Sequence, residues 1–216
     1  MLDLKMGIVD MSDRKTHWER IYGDKTPQEV SWYQKEPALS LQFIRNTQLA
    51  HDAPIIDVGG GASALVDYLC EDGYTNVAVL DISAKALAYC QASLGDKAKR
   101  VKWYEEDVTK FRPPHQFSLW HDRAVFHFLT EQDQRSKYIE ILNKTLKPGG
   151  HLILAAFAIG GPTRCSGLDI VQYNSEKLLK DLGDGFILIE EAEETHITPA
   201  NKEQLFSYFR LLKNET

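Results

Sequence analysis

The segment Ile55-Ile56-Asp57-Val58 runs into three consecutive glycines, Gly59-Gly60-Gly61, and out again into a helical stripe of Ala64, Leu65, Tyr68 and Leu69 behind Ser63, a candidate N-cap. A strand that ends on bare backbone and restarts as a helix points to an open α/β sheet, where ligands lie against the C-terminal ends of the strands. Three further apolar runs follow, Val77–Leu80, Val101–Tyr104 and Phe117–Trp120, with a fifth at His151–Phe157. Near-continuous runs suit strands covered on both faces, so a mostly parallel sheet with right-handed crossovers is expected.

Helical patterns separate the runs. Leu87, Cys90 and Leu94 share one face, and Thr130 with Asp133 reads as a capping-box start. The helix that follows carries Tyr138, Ile141, Leu142, Thr145 and Leu146 until Pro148-Gly149-Gly150 stops it. Phe186–Glu190 and Leu205–Leu212 predict an antiparallel pair at one sheet edge. Upstream, an aromatic-punctuated polar stretch predicts a helix near Asp13–Tyr22 and a second after Pro37. The fold class is therefore α/β, Rossmann-like and doubly wound.

Charge narrows the partners. With 25 Lys plus Arg against 31 Asp plus Glu, the net charge of -6 has the wrong sign for a phosphate-backbone binder, so no nucleic-acid partner is expected. No apolar run approaches the roughly 18 residues of a membrane span, and the start of the chain lacks the pattern of a signal peptide, which predicts no membrane partner and a cytoplasmic location. Cys70, Cys90 and Cys165 are too few and too irregularly spaced for a disulfide framework or a metal pair.

Three acids give the glycine turn its chemistry. Asp81 ends the second run twenty residues after Gly61, where a carboxylate can accept ribose hydroxyls, and Asp107, followed by Val108, stands at the end of the third, where it can accept an adenine amino group. Up to this point two cofactor classes compete, because Gly59-x-Gly61-x-x-Ala64 also fits the dinucleotide fingerprint. Asp57 separates them. An acid beside the glycines sits badly against a pyrophosphate, whereas S-adenosyl-L-methionine carries an ammonium group, a sulfonium and no phosphate.

Asp57-Val58-Gly59-Gly60-Gly61, Asp81 and Asp107 resemble the first three motifs of the seven-β-strand, class I S-adenosylmethionine-dependent methyltransferases. The likeness spans about Pro54 to Leu212. Within the class, Gly61-Ala62-Ser63-Ala64-Leu65 and a Trp/Tyr-containing N-terminal segment are similar to the branch containing the elongation-factor lysine methyltransferases. The resemblance implies a seven-stranded sheet with an antiparallel last strand, residues 1–53 as a leader and helical lid, and residues 54–216 as the methyltransferase domain. It implies donor contacts at Trp18, Tyr22, Trp32, Gly59, Asp81, Ile82, Asp107 and Val108, to which Asp57, Gly61 and His121 are added as donor-side candidates. Where the branch has acid-Lys-Gly-Thr after the fourth strand, this chain reads Asp122-Arg123-Ala124-Val125.

Trp18 and Tyr22 stand at i and i+4, one helical face, and aromatic rings above a donor pocket suit a sulfonium. On the acceptor side, Asp122, Phe126, Phe128, His127 and Arg164 are the candidates: Phe126 and Phe128 as walls, His127 as a proton acceptor, Arg164 as a hold for an anionic acceptor in the glycine-rich loop 160–167. The bulk of Ala124-Val125-Phe126 favours a closed chamber and a small-molecule acceptor with a nucleophilic S, O or N. A protein lysine is the alternative, and a non-catalytic donor-binding protein the rival from another class.

Overall fold

The computed structural model describes residues 11–215. In chain order the elements are α1 (Met11–Asp24), α2 (Ala38–Arg45), β1 (Ile55–Val58), α3 (Leu65–Glu71), β2 (Val77–Asp81), α4 (Ala84–Leu94), β3 (Lys102–Glu105), β4 (Phe117–Arg123), α5 (Gln132–Thr145), β5 (Leu146–Phe157), the short β6 (Arg164–Cys165) and β7 (Leu168–Asp169), α6 (Ser175–Leu182), β8 (Phe186–Ile197) and β9 (Glu203–Lys213). Seven strands form one sheet in the order β3-β2-β1-β4-β5-β9-β8. The first five run parallel, and β9 pairs antiparallel with both β5 and β8.

β1 and β2 are buried at every position, as continuous apolar runs between two helical layers must be. One layer packs Trp120, Phe126, Tyr138, Tyr173 and Leu178 against the sheet, and the other packs Phe43, Leu65, Leu69, Leu87 and Leu94. The strand order reverses between β1 and β4, which brings the glycine turn and the C-terminal end of β4 side by side. In register, Asp57 stands opposite His121 and Val58 opposite Asp122.

Local chemistry departs from the sequence reading at four places. Ser63 accepts from the Leu65 N–H at 3.0 Å, but the helix itself starts at Leu65 with Ala64 as its flanking residue. Glu131, not Thr130, flanks α5, and Arg135 Nη1 reaches back to the carbonyls of Leu129 and Thr130 at 2.8 and 2.7 Å. The stop at Pro148-Gly149-Gly150 falls inside β5: Phe117 pairs with Leu146 and Leu119 with His151, so the extra residues bulge out of a strand that starts directly after α5. The loop 160–167 is also more ordered than its glycines imply, since it closes the β6–β7 hairpin.

Candidate functional site

A cavity of about 870 Å³, open mouth included, lies over the C-terminal ends of β1, β2 and β4. A second, of about 530 Å³, adjoins it and shares Tyr22, Trp32, Val58, Gly59 and Arg123. Together they form one continuous cleft along the end of the sheet.

The floor is the glycine turn. Gly59 donates its N–H to Leu80 O at 2.7 Å and lines both cavities. A Cβ on Gly60 would come within 2.1 Å of Asp57 Oδ2, and one on Gly61 within 2.7 Å of both Asp81 Oδ2 and Ala86 Cβ. The bareness of Gly60 and Gly61 therefore makes room for the two carboxylates. Gly61 lines neither cavity and instead donates its N–H to Asp81 Oδ2 at 3.0 Å, a positioning role in place of the direct contact expected from sequence.

Asp81 is held at both ends, because Ser83 N donates to Oδ1 at 2.8 Å and Ser83 also caps α4. Burial pushes its carboxyl up to about 6, opposed by the Ser83 and Gly61 N–H groups. Asp107 Oδ1 takes the Thr109 N–H at 2.8 Å, while Oδ2 faces Arg14 Nη2 at 3.4 Å. Ile82 and Val108 stand beside these acids in the wall of the main cavity. Deeper in, Asp57 Oδ1 meets His121 Nδ1 at 2.7 Å, and Ser40 Oγ meets His121 Nε2 at 2.9 Å. Asp57 Oδ2 is buried without a hydrogen-bond partner on the floor of the second cavity. A buried, unpartnered carboxylate oxygen is costly to leave so and calls for a donor such as an ammonium group.

The roof comes from α1. Trp18 packs edge-on to Trp32 and Phe128, with ring centroids 5.7 and 5.1 Å away, and tilted against Tyr22 at 6.4 Å. All four rings line the main cavity. The helix is clasped down by Glu19, whose side chain accepts from Ala84 N at 2.6 Å and whose carbonyl accepts from Lys85 Nζ at 3.1 Å. Arg14–Asp107 and the exposed Lys15–Glu105 pair tie the same helix to the far rim.

The acceptor side needs correction. Phe128 lines the cavity as expected, but Asp122, Phe126, His127 and Arg164 do not. Asp122 is fully buried on the opposite face of β4, where it accepts from Tyr138 Oη at 2.6 Å, Val125 N at 2.8 Å and Phe126 N at 3.1 Å. Phe126 is sandwiched between Tyr138 and Tyr173. Arg164 is spent on its own hairpin, donating to Gly167 O and pairing with Asp169. His127 is buried between Phe128 and Phe157 with neither ring nitrogen hydrogen-bonded. These four sit one residue out of phase with, or beyond, the strand positions that face the cavity, a distinction that a run of consecutive apolar and polar residues conceals.

Their places are taken by Arg123, Ala124, Val125, Cys165, Phe157 and Phe206. Arg123 and His121 are two apart on β4 and share a face, a period-two signal that was present in the sequence. Phe206 and Cys165 reach the site only through long-range pairing and had no local signal. Burial raises the Cys165 thiol to about 11, which leaves it protonated and unreactive as a nucleophile.

The position of His127 yields a direct test. Burial, reinforced by Arg123, lowers its imidazole to about 3, so the folded state holds it neutral while the unfolded chain protonates near pH 6.5. Stability from this residue is therefore lost as pH falls from about 6.5 toward 3. His127→Phe is expected to preserve turnover and to flatten that loss in urea denaturation at pH 5 against pH 7.5. A collapse of turnover with intact folding would restore it to the reaction.

Residues 55–150 match the family model of a methyltransferase domain. Over 194 residues the chain is 22% identical to EEF1A lysine methyltransferase 2 of Homo sapiens, covering 82% of this chain and 75% of that one. Over 198 residues it is 25% identical to phosphoethanolamine N-methyltransferase 1 of Zea mays, covering 86% of this chain but only 38% of the relative. Among solved structures, N-methyltransferase NodS from Bradyrhizobium japonicum in complex with S-adenosyl-L-homocysteine superposes with a TM-score of 0.69 at 17% identity, over 92% of this chain and 97% of that one, a likeness of fold.

Proposed function

We propose, from the premise that the chain is a seven-strand, Rossmann-like methyltransferase of the S-adenosylmethionine-dependent kind, that it methylates a nucleophilic S, O or N on a small molecule enclosed beneath the α1 lid. The observation that carries the donor assignment is Asp57 Oδ2, a buried carboxylate oxygen without a partner beside the bare glycine turn. The residues fit the donor along its length. Asp57 receives the ammonium, Asp81 the ribose hydroxyls, Asp107 the adenine amino group, with Ile82 and Val108 as apolar walls and Gly59 as the floor.

When bound, S-adenosylmethionine supplies an electrophilic methyl on a sulfonium. The chain's own work is to position and to dry the site. His121 and Ser40 fix Asp57; Gly61 and Ser83 fix Asp81. Trp18, Tyr22, Trp32 and Phe128 present ring faces and edges to the cavity, and an aromatic face against a cation contributes about 0.5–2 kcal/mol. Orientation of the acceptor and exclusion of water can supply much of the acceleration of an in-line methyl transfer without a base. Residues 11–53 act as the lid to the domain that begins at residue 54; the expected leader, residues 1–10, lies outside the described residues. Ala124, Val125, Phe157 and Phe206 supply an apolar chamber, which supports the small molecule over a lysine side chain arriving on a bulky partner.

Calorimetry tests the donor assignment. The protein is expected to bind S-adenosylmethionine and S-adenosylhomocysteine with micromolar affinity, about −8 kcal/mol, and to ignore nicotinamide dinucleotides. Asp81→Ala should lose about 1.5–3 kcal/mol of that. Because burial holds the Asp81 carboxyl near 6, its ionised, better-accepting form is lost as pH falls through 6. Wild-type affinity should drop between pH 8 and pH 5 more steeply than that of Asp81→Asn. Unchanged affinity in Asp81→Ala would remove the ribose role. For the acceptor, turnover on a panel of small thiols, amines and alcohols supports the reading, whereas tritium labelling of one lysate protein would replace it with the lysine alternative.

A further inference from the structure

Among the described residues two cations line the main cavity, Arg14 and Arg123. Arg14 lies beside Asp107, its Nη2 3.4 Å from Asp107 Oδ2, at the end of the cavity assigned to the adenine, although its Nε and Nη2 also have no hydrogen-bond partner. Arg123 stands at the junction of the two cavities, its side chain only 11% exposed. Its guanidinium is held on three sides. Nε donates to Tyr208 Oη at 2.7 Å, Nη1 donates to the Trp32 carbonyl at 3.1 Å, and the carbon of the fork sits 4.4 Å from the centre of the Phe206 ring. Nη2 has no hydrogen-bond acceptor; the nearest charge is Glu194 Oε2 at 3.6 Å. Glu194 is itself occupied, accepting from Gln34 Nε2 at 2.9 Å and from Tyr208 Oη at 3.1 Å.

A fixed, largely buried guanidinium with an unfilled donor is expensive unless an acceptor arrives. Each group that holds it belongs to β8, β9 or the lid, and none to the glycine turn, and in the main cavity it shares the lining with Phe157, Cys165 and Phe206. We propose that Arg123 anchors a carboxylate or similarly compact anion on the methyl acceptor, with Phe206 and Phe157 covering the apolar body to which that anion is attached. The anion-holding role expected of Arg164 passes to Arg123. The inference rests on the small-molecule reading above and names its substrate class: an acidic small molecule whose nucleophile lies a short distance from its anion. The planar fork matches a carboxylate through paired N–H donors, which a lysine at this place would not supply.

The experiment loads the whole protein with S-adenosylhomocysteine and titrates it by calorimetry with benzoate and with benzamide, a neutral molecule of the same shape. Benzoate is expected to bind at least tenfold more tightly. Arg123→Lys should weaken benzoate at least fivefold while leaving benzamide and S-adenosylhomocysteine within twofold. Glu194→Gln should act in the opposite direction, strengthening benzoate severalfold by removing the competing carboxylate, and it gives the answer even where changes at Arg123 disturb folding. Equal binding of benzoate and benzamide to the wild type overturns the proposal. So does a tenfold loss of S-adenosylhomocysteine in Arg123→Lys with the benzoate preference intact, which would make Arg123 a partner of the donor's carboxylate. Failure of the wild type to bind S-adenosylhomocysteine at all would instead sink the donor assignment, and this inference with it.

Discussion

Asp122→Ala is expected to destabilise the fold by about 3 kcal/mol at pH 5, a fall of roughly 6–12 °C in Tm for a chain of this size, and to do so without any selective effect on the acceptor. The carboxylate takes the Tyr138 hydroxyl and the N–H groups of Val125 and Phe126, and Trp120 Nε1 in turn donates to Tyr138 Oη at 2.8 Å. Removing it strands a buried hydroxyl and two buried N–H groups at the bend that delivers Ala124 and Val125 to the cavity, and each unsatisfied donor costs about 1–3 kcal/mol. Burial pushes the Asp122 carboxyl up to about 6, from an ordinary value near 3.8. A folded-state acid raised in this way holds its proton longer than the unfolded chain does, so its stabilising contribution is full below about pH 4 and declines as pH rises through 6. The deficit of Asp122→Ala, followed by urea denaturation, should therefore be larger at pH 5 than at pH 8. A variant of normal stability that no longer turns over would return Asp122 to the acceptor side.

This misassignment shows how far the sequence was legible. β1 and β2 announced themselves because parallel strands buried on both faces read as unbroken apolar runs, and the turn between β1 and α3 did so because three glycines leave little else to be. Asp81 and Asp107 were legible by position, each standing where a parallel strand ends. β8 was half hidden: after Ile189 it continues through Glu190, Glu191, Glu193 and Glu194, whose charge masks a strand that pairs with β9 as far as Ile197. The acceptor side was the least legible. Residues 122–128 leave β4 through Ala124 at φ +72°, where the resembling branch has glycine, and then tighten into a short 3-10 turn at Phe126–Phe128. Neither geometry has a period, so no spacing rule assigns Phe126 to the core and Phe128 to the cavity. Tyr138, Phe157 and Phe206, which decide those assignments, lie ten to eighty residues away in the chain.

Gly59→Ala is expected to cost about 2–4 kcal/mol of stability and to take most of the donor affinity with it. Two terms add. The backbone at Gly59 has φ +72°, and an L side chain in the left-handed region costs roughly 1–2 kcal/mol. Its Cβ would also come within 2.2 Å of Val125 Cγ2, an overlap that must push the bend after β4 away from the glycine turn, and overpacking of this kind costs about 1–3 kcal/mol. The restricted unfolded chain returns about 0.4–1 kcal/mol, too little to cancel either term. The overlap and the backbone strain can be separated. Val125→Ala on the Gly59→Ala background removes the methyl that clashes and leaves φ untouched, so the double variant should recover the overlap term and part of the S-adenosylhomocysteine affinity. The two substitutions would then be coupled by 1 kcal/mol or more, as expected of side chains in direct contact. Strict additivity in the cycle would mean that the bend yields freely, and that the close packing of Val125 over the glycine turn does not hold the floor of the donor site against the acceptor side.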